Sequence, residues 1–121
     1  MFWNLHYLLL YLGYNSNAKM DLNKFGKRAF SCATRRAKIS GRTAETLTPE
    51  ELHEETMRGL HEEVIEVENA SEIFPSDHLP QYSEAVEELV DVAIVTITEL
   101  YRRGVDIDQA LHEKMKFNEN R

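Results

Sequence analysis

Two short acidic stretches hold the most chemically loaded spacing in the chain: Glu62-Glu63-Val64-Ile65-Glu66 and Glu88-Leu89-Val90-Asp91. A helix turns about 100° per residue, so side chains three or four positions apart share a face. Glu62 and Glu66 are four apart; Glu63 and Glu66 are three apart, as are Glu88 and Asp91. If both stretches are helical, each aims two or three carboxylates in one direction, and antiparallel packing lets the two sets meet. Carboxylates crowded in this way repel, and their pKa values rise until some protonate. A hard divalent cation removes the conflict. The donors are all oxygen, with no Cys and no His at ligand spacing, which points to Mg²⁺ or Mn²⁺ over Zn²⁺. The Glu-x-x-His pairs of di-iron bundles are missing around these acids. Spacing alone lets either Glu62 or Glu63 share a face with Glu66. The competing reading is a solvated acidic face, since a single Glu-x-x-Glu is common on surface helices. Against it, both stretches are bracketed by apolar residues.

Four helices must position these groups, and no segment reads as a strand. The first is predicted from about Asp21 to Ile39, with Asp21 as N-cap and Ser40-Gly41 as the stop. The second opens on Thr48-Pro49-Glu50-Glu51, in which Thr48 caps, Pro49 suits the first helical position and Glu51 completes a capping box. It is predicted to reach about Ser71, with Leu52, Leu60, Val64 and Val67 as its apolar stripe. The stretch from Ile73 to Gln81, with Pro75 and Pro80, reads as a loop. The third helix is predicted from about Ser83 to Arg103, stopped at Gly104. Its segment from Val92 to Ile97 is apolar nearly all round, which implies a bundle centre or a subunit interface. Asp106 to Gln109 begins the fourth, which runs to about Asn118. This is an all-α chain: a bundle of four main helices with an additional N-terminal apolar segment.

Charge is segregated along the chain. Residues 19 to 42 hold eight Lys or Arg and one acid, whereas residues 50 to 91 hold fourteen Asp or Glu and one base, Arg58. An acidic block beside a basic one suits a metal together with a phosphate-bearing ligand; two solvated faces of opposite sign are the plainer alternative. With a net charge of −7, nucleic-acid binding is not expected. The single Cys32 cannot form an internal disulfide, which favours a reducing cytoplasm. The stretch from Met1 to Tyr14 is rich in Leu, Tyr and Trp, but it lacks the basic start and small-residue cleavage site of a signal peptide. It is shorter than the roughly 20 residues that span a bilayer, so no membrane association is expected. Residues 1–19 therefore read as an extension of open role, and residues 20–121 as the domain.

The order of motifs resembles the MazG-like all-α nucleoside triphosphate pyrophosphohydrolases. That family's pattern is Glu-Glu-x-x-Glu, a variable gap, then Glu-x-x-Asp, matched here by Glu62 to Glu66 and by Glu88 to Asp91 with the apolar run Val92-Ala93-Ile94 behind it. Downstream, Gly104-Val105-Asp106 leads into Lys114-Met115-Lys116-Phe117-Asn118-Glu119-Asn120-Arg121, which is similar to the family's closing Lys-x-x-x-Asn-x-x-Arg. The likeness covers about Met20 to Arg121. It implies hydrolysis of a nucleoside triphosphate to the monophosphate and pyrophosphate, with surplus or abnormal deoxynucleotides as the expected substrates. It implies Glu63, Glu66, Glu88 and Asp91 as Mg²⁺ ligands, with Glu62 as a further ligand or the group orienting the attacking water. By the same analogy Lys114, Asn118 and Arg121 contact phosphate or sugar. Arg35, Arg36 and Lys38 of the basic first helix can face the triphosphate. A chain this small leaves its site open on one side, so a homodimer or a dimer of dimers is expected, as the family likeness also implies. The alternative is a non-catalytic helical module that binds a metal, a nucleotide or a basic partner.

Overall fold

The structure is a computed structural model that describes residues 20–121; the N-terminal apolar extension lies outside the described residues. Among the described residues four helices follow one another: α1 (Leu22–Arg35), α2 (Pro49–Glu68), α3 (Glu84–Arg102) and α4 (Ile107–Glu119). Among the described residues there is no strand, only an isolated antiparallel bridge between Pro75 and Ser83, and no helix is long and apolar enough to cross a membrane.

Local chemistry sets each helix start. Asp21 Oδ1 accepts from the backbone N–H groups of Asn23 and Lys24 at 3.0 and 3.1 Å. Thr48 and Glu51 form the full capping box, with Glu51 N to Thr48 Oγ1 at 3.1 Å and Thr48 N to Glu51 Oε1 at 2.9 Å. Ser83 and Asp106 cap α3 and α4 in the same way. Each satisfies amide donors that the first turn leaves without partners.

The end of α1 differs from expectation. Helix geometry stops at Arg35, four residues short of Ile39, and Gly41 plays no part in the stop. Ala37 takes the left-handed position at φ 57°. Its N–H donates to Thr34 O at 3.0 Å, and Lys38 N donates to Ala33 O at 2.9 Å. This is a Schellman termination in which alanine stands where glycine is usual. A Cβ in this region costs roughly 1–2 kcal/mol. Ala37→Gly is therefore expected to stabilise the chain by about 1 kcal/mol, read as a higher urea midpoint; an unchanged or lower midpoint contradicts the assignment. The end of α2 also comes early, at Glu68 rather than Ser71. Ser71 instead ties the loop: its N–H donates to Glu84 Oε1 at 2.9 Å, and its hydroxyl accepts from Ile73 and Phe74.

α3 is the central element and packs on α1, α2 and α4. Cross-helix pairs fix the directions. Thr56 meets Glu99 near one end of the α2–α3 pair, while Glu63 and Glu66 meet Glu88 and Asp91 near the other, so the two helices run antiparallel. α1 is antiparallel to α3 as well: the Phe30 ring lies 5.2 Å from that of Tyr101, and the α1 C-terminus faces Asp91. Gly26 permits the close approach, since a Cβ there would sit 2.8 Å from Ile107 Cδ1 and 3.1 Å from Tyr101 Cβ.

Among the described residues the fully buried apolar side chains are few. Buried apolar side chains are Ala29, Leu47, Leu52, Ala85 and Ile107. Of the expected α2 stripe, Leu52 is buried, Leu60 and Val67 are half-buried, and Val64 is exposed. Much of the remaining centre is ionic. The Arg102 side chain is fully buried, with Nη2 2.8 Å from Glu55 Oε1 and Nη1 3.1 Å from Glu99 Oε2. Its Nε donates to the Arg42 carbonyl at 3.1 Å. Arg103 Nη1 reaches Glu99 Oε1 at 3.1 Å, and Thr56 Oγ1 donates to the same oxygen at 2.7 Å. This network fastens the loop after α1 to α2 and α3, and that loop carries Lys38.

Candidate metal centre

Where the C-terminal half of α2 crosses the first turns of α3, Glu63, Glu66, Glu88 and Asp91 converge. One carboxylate oxygen from each lies within 4.8 Å of the other three. Helical spacing puts each pair on one face, and antiparallel packing turns the two faces together. Glu66 is exposed and the other three are half-buried. Glu63 Oε2 and Glu88 Oε2 are buried from solvent, and neither has a hydrogen-bond partner. A buried acceptor without a donor costs about 1–3 kcal/mol, more when charged, so these two oxygens call for a positive ligand.

The electrostatics agree. Burial, then the charges of Glu66 and Asp91, pushes the Glu63 carboxyl up from 4.5 to about 7. Burial, then the Glu66 carboxylate beside it, pushes Glu88 up from 4.5 to about 7. Asp91 is raised by burial and by the charges of Glu87 and Glu66. Lys38 offsets part of this at Glu63, and Arg36 and Lys38 do so at Asp91. An all-oxygen set of this kind fits a hard divalent cation. Oxygens around a six-coordinate ion at about 2.1 Å stand roughly 3–4.2 Å apart, so the four carboxylates need only small movements to close on one.

A pH dependence follows. Glu63 and Glu88 bind protons more tightly in the folded chain than in the unfolded one, where they titrate near 4.5. Protons therefore favour the fold. The metal-free chain is expected to lose thermal stability as pH rises from about 4.5 to about 7, with no further loss from these groups above that window. Saturating Mg²⁺ or Mn²⁺ binds the ionised carboxylates and reverses the loss. Melting curves from pH 4.5 to 8, with and without the ion, check this; equal curves at pH 8 contradict it.

The remaining expected site residues divide. Glu62 is not among the converging carboxylates; it lines an adjacent open groove of about 350 Å³ together with Lys38, Ser40, Glu55 and Arg58. Lys38 thus borders both the groove and the cluster. Arg35 ends α1 as an exposed side chain, and it is Arg36 that acts on Asp91. Lys114, Asn118 and Arg121 are exposed on α4. One participant had not been expected. Glu87, four residues before Asp91, raises that carboxyl and is itself held by the Ser76 hydroxyl, with His78 Nδ1 at 3.2 Å. The four-residue spacing to Asp91 was the available sign. Comparison of the chain with protein-family models, curated proteins and solved structures finds no match.

Proposed function

We propose that the chain hydrolyses a nucleoside triphosphate, with deoxynucleotides as the favoured class, to the monophosphate and pyrophosphate. The observation that carries this reading is the convergence of four carboxylates with two buried, unpartnered oxygens, bordered by Lys38 and Arg36. The order of motifs shared with MazG-like pyrophosphohydrolases supplies the substrate class.

In this reading Glu63, Glu66, Glu88 and Asp91 hold Mg²⁺, with Mn²⁺ as a substitute. The ion contributes neutralisation of phosphate oxygens and a lowered pKa for water at the site. The protein's own residues do the positioning. Arg36 and Lys38 stand on the cationic side, where they orient the polyphosphate and balance charge that grows on the leaving pyrophosphate. Glu62, beside the cluster and open to the groove, orients the attacking water and accepts its proton. The Arg102 network holds the loop that carries Lys38. The groove of a single chain is open, and exposed Val64, Ile65, Leu89 and Val90 surround the carboxylates, which supports a homodimer or a dimer of dimers as the working form. Residence in a reducing cytoplasm belongs to the same proposal.

A nucleotide panel with Mg²⁺, scored by pyrophosphate release, separates turnover from binding alone. The expected result is ion-dependent release that EDTA abolishes and Mn²⁺ restores. Ion and nucleotide binding without release, across the whole panel, would make the chain a binding module.

A further inference from the structure

One stripe of α2 runs from the loop anchor to the carboxylate cluster. At about 100° per residue, Glu55, Gly59, Glu62 and Glu66 fall within an arc of about 60°. Residues 37–40 lie over the Glu55–Glu62 part of this stripe and, with Arg58, bound the groove of about 350 Å³. Lys38 and Glu62 stand toward the cluster, where Lys38 acts on Glu63 and Asp91. Ser40 and Glu55 stand at the other end. Gly59 lies between them, so helix backbone lines the groove there in place of a side chain. The fold does not demand this glycine. Among the described residues a Cβ would meet only Val95 Cγ1, at 3.8 Å, an ordinary contact. Glycine inside a helix nevertheless costs about 1 kcal/mol against alanine. Close approach of a ligand to the backbone is a use that offsets such a cost.

Glu55 is held in place by one oxygen only. Its Oε1 accepts from Arg102 Nη2 at 2.8 Å and from Ser40 N at 3.4 Å, and among the described residues no hydrogen bond uses Oε2. Burial raises this carboxyl, but the hydrogen bonds from Arg102 and Ser40 outweigh it and hold the group below its ordinary value. Glu55 is therefore ionised at neutral pH: a fixed acceptor with no proton to donate. It precedes Glu63 by eight residues, about 12 Å along the helix. That is comparable to the reach from the α-phosphate of a nucleotide to the far edge of its base. The groove is at the small end of ligand sites, which run from about 300 to 1,000 Å³, and suits a nucleoside better than a whole triphosphate.

We propose that this groove takes the sugar and base of a nucleotide whose phosphates lie at the cluster, and that Glu55 Oε2 accepts a hydrogen bond from an exocyclic amino group of the base. Gly59 gives the flat ring a floor of backbone. A carboxylate oxygen accepts from an amino group and repels a keto oxygen, so cytosine and adenine are preferred over their keto counterparts, uracil and hypoxanthine. The placing of the phosphates rests on the pyrophosphohydrolase reading; the base preference is read by binding and needs no turnover.

Titration calorimetry of the full chain in Mg²⁺ with dCMP, dUMP, dAMP and dIMP tests the groove. The members of each pair differ chiefly in the amino or keto group. Tighter binding of dCMP than dUMP, and of dAMP than dIMP, is expected by at least about tenfold. Glu55→Gln should reverse both preferences, because the amide keeps an oxygen for Arg102 and turns an N–H₂ donor toward the keto group; a Glu that only anchors the loop would weaken all four ligands alike. Equal affinities within each pair overturn the proposal, as does a preference that follows ring size. A folded Glu55→Gln chain with the wild-type preference overturns it too. If circular dichroism shows that this variant does not fold, the wild-type pairs still decide. Binding of none of the four, as when the chain's own residues 1–19 fill the groove, also overturns it. If the wild type turns over no triphosphate, the functional reading fails while the two pairs still decide the groove.

Discussion

Glu63→Gln is expected to weaken Mg²⁺ or Mn²⁺ binding by at least about 100-fold, since even residues that only support a metal ligand cost 10–100-fold. Hydrolysis should fall with it. The same substitution should raise the stability of the metal-free chain at pH 8. At that pH the wild-type carboxyl, displaced to about 7 mainly by burial, is ionised in an unfavourable place. A neutral amide of the same size removes that charge and offers an N–H₂ donor to Glu66. The two effects have opposite signs, which separates an ion site from a structural acid: loss of a merely structural Glu lowers stability and leaves the ion indifferent. Titration calorimetry with Mn²⁺ and urea unfolding at pH 8 read the two halves. Glu62→Gln is the companion. Its side chain lies outside the converging set, so ion affinity should hold while turnover drops. Equal ion affinity in wild type and Glu63→Gln would remove the site.

The largest stability effect is expected at Arg102. Its side chain is fully buried and binds Glu55, Glu99 and the Arg42 carbonyl. Arg102→Ala leaves Glu99, at 8 % exposure, with Arg103 as its remaining cation. It also frees the loop that α2 and α3 share through this guanidinium. Breaking a buried pair from one side costs about 3–5 kcal/mol. A domain of this size has about 5–15 kcal/mol in all, so a loss of this size is a large share of it. Urea unfolding followed by circular dichroism should show a sharply lowered midpoint, or a chain already unfolded in buffer. Arg102→Lys keeps the charge but loses the planar fork, and should fall between wild type and Arg102→Ala. A loss below about 1 kcal/mol would place the network in the class of solvated ion pairs.

The helices and their starts were legible in the sequence because capping is local chemistry. Asp21, Thr48 with Glu51, Ser83 and Asp106 act within a few residues of themselves. The end of α1 was not, because the sign being read was glycine, and Ala37 takes the left-handed position in its place. The acidic convergence was legible as far as spacing goes. The choice between Glu62 and Glu63 was not, since neighbouring positions differ by about 100° and only the rotation of α2 against α3 decides which one faces inward. Glu55, Glu99 and Arg102 carry no mark of burial in sequence; an acid three residues before an Arg reads as an ordinary surface pair until packing removes the water. Lys114, Asn118 and Arg121 read as site residues from their pattern, but whether α4 folds back or projects depends on contacts that the pattern does not contain.

Phosphoanhydride hydrolysis is the activity proposed for the four carboxylates. The most direct test is ³¹P NMR of a deoxynucleoside triphosphate incubated with the full chain and Mg²⁺. Monophosphate and pyrophosphate are expected in equal amounts, with no orthophosphate, and neither product with Glu63→Gln. Unchanged triphosphate across the nucleotide panel, or diphosphate with orthophosphate, would contradict it.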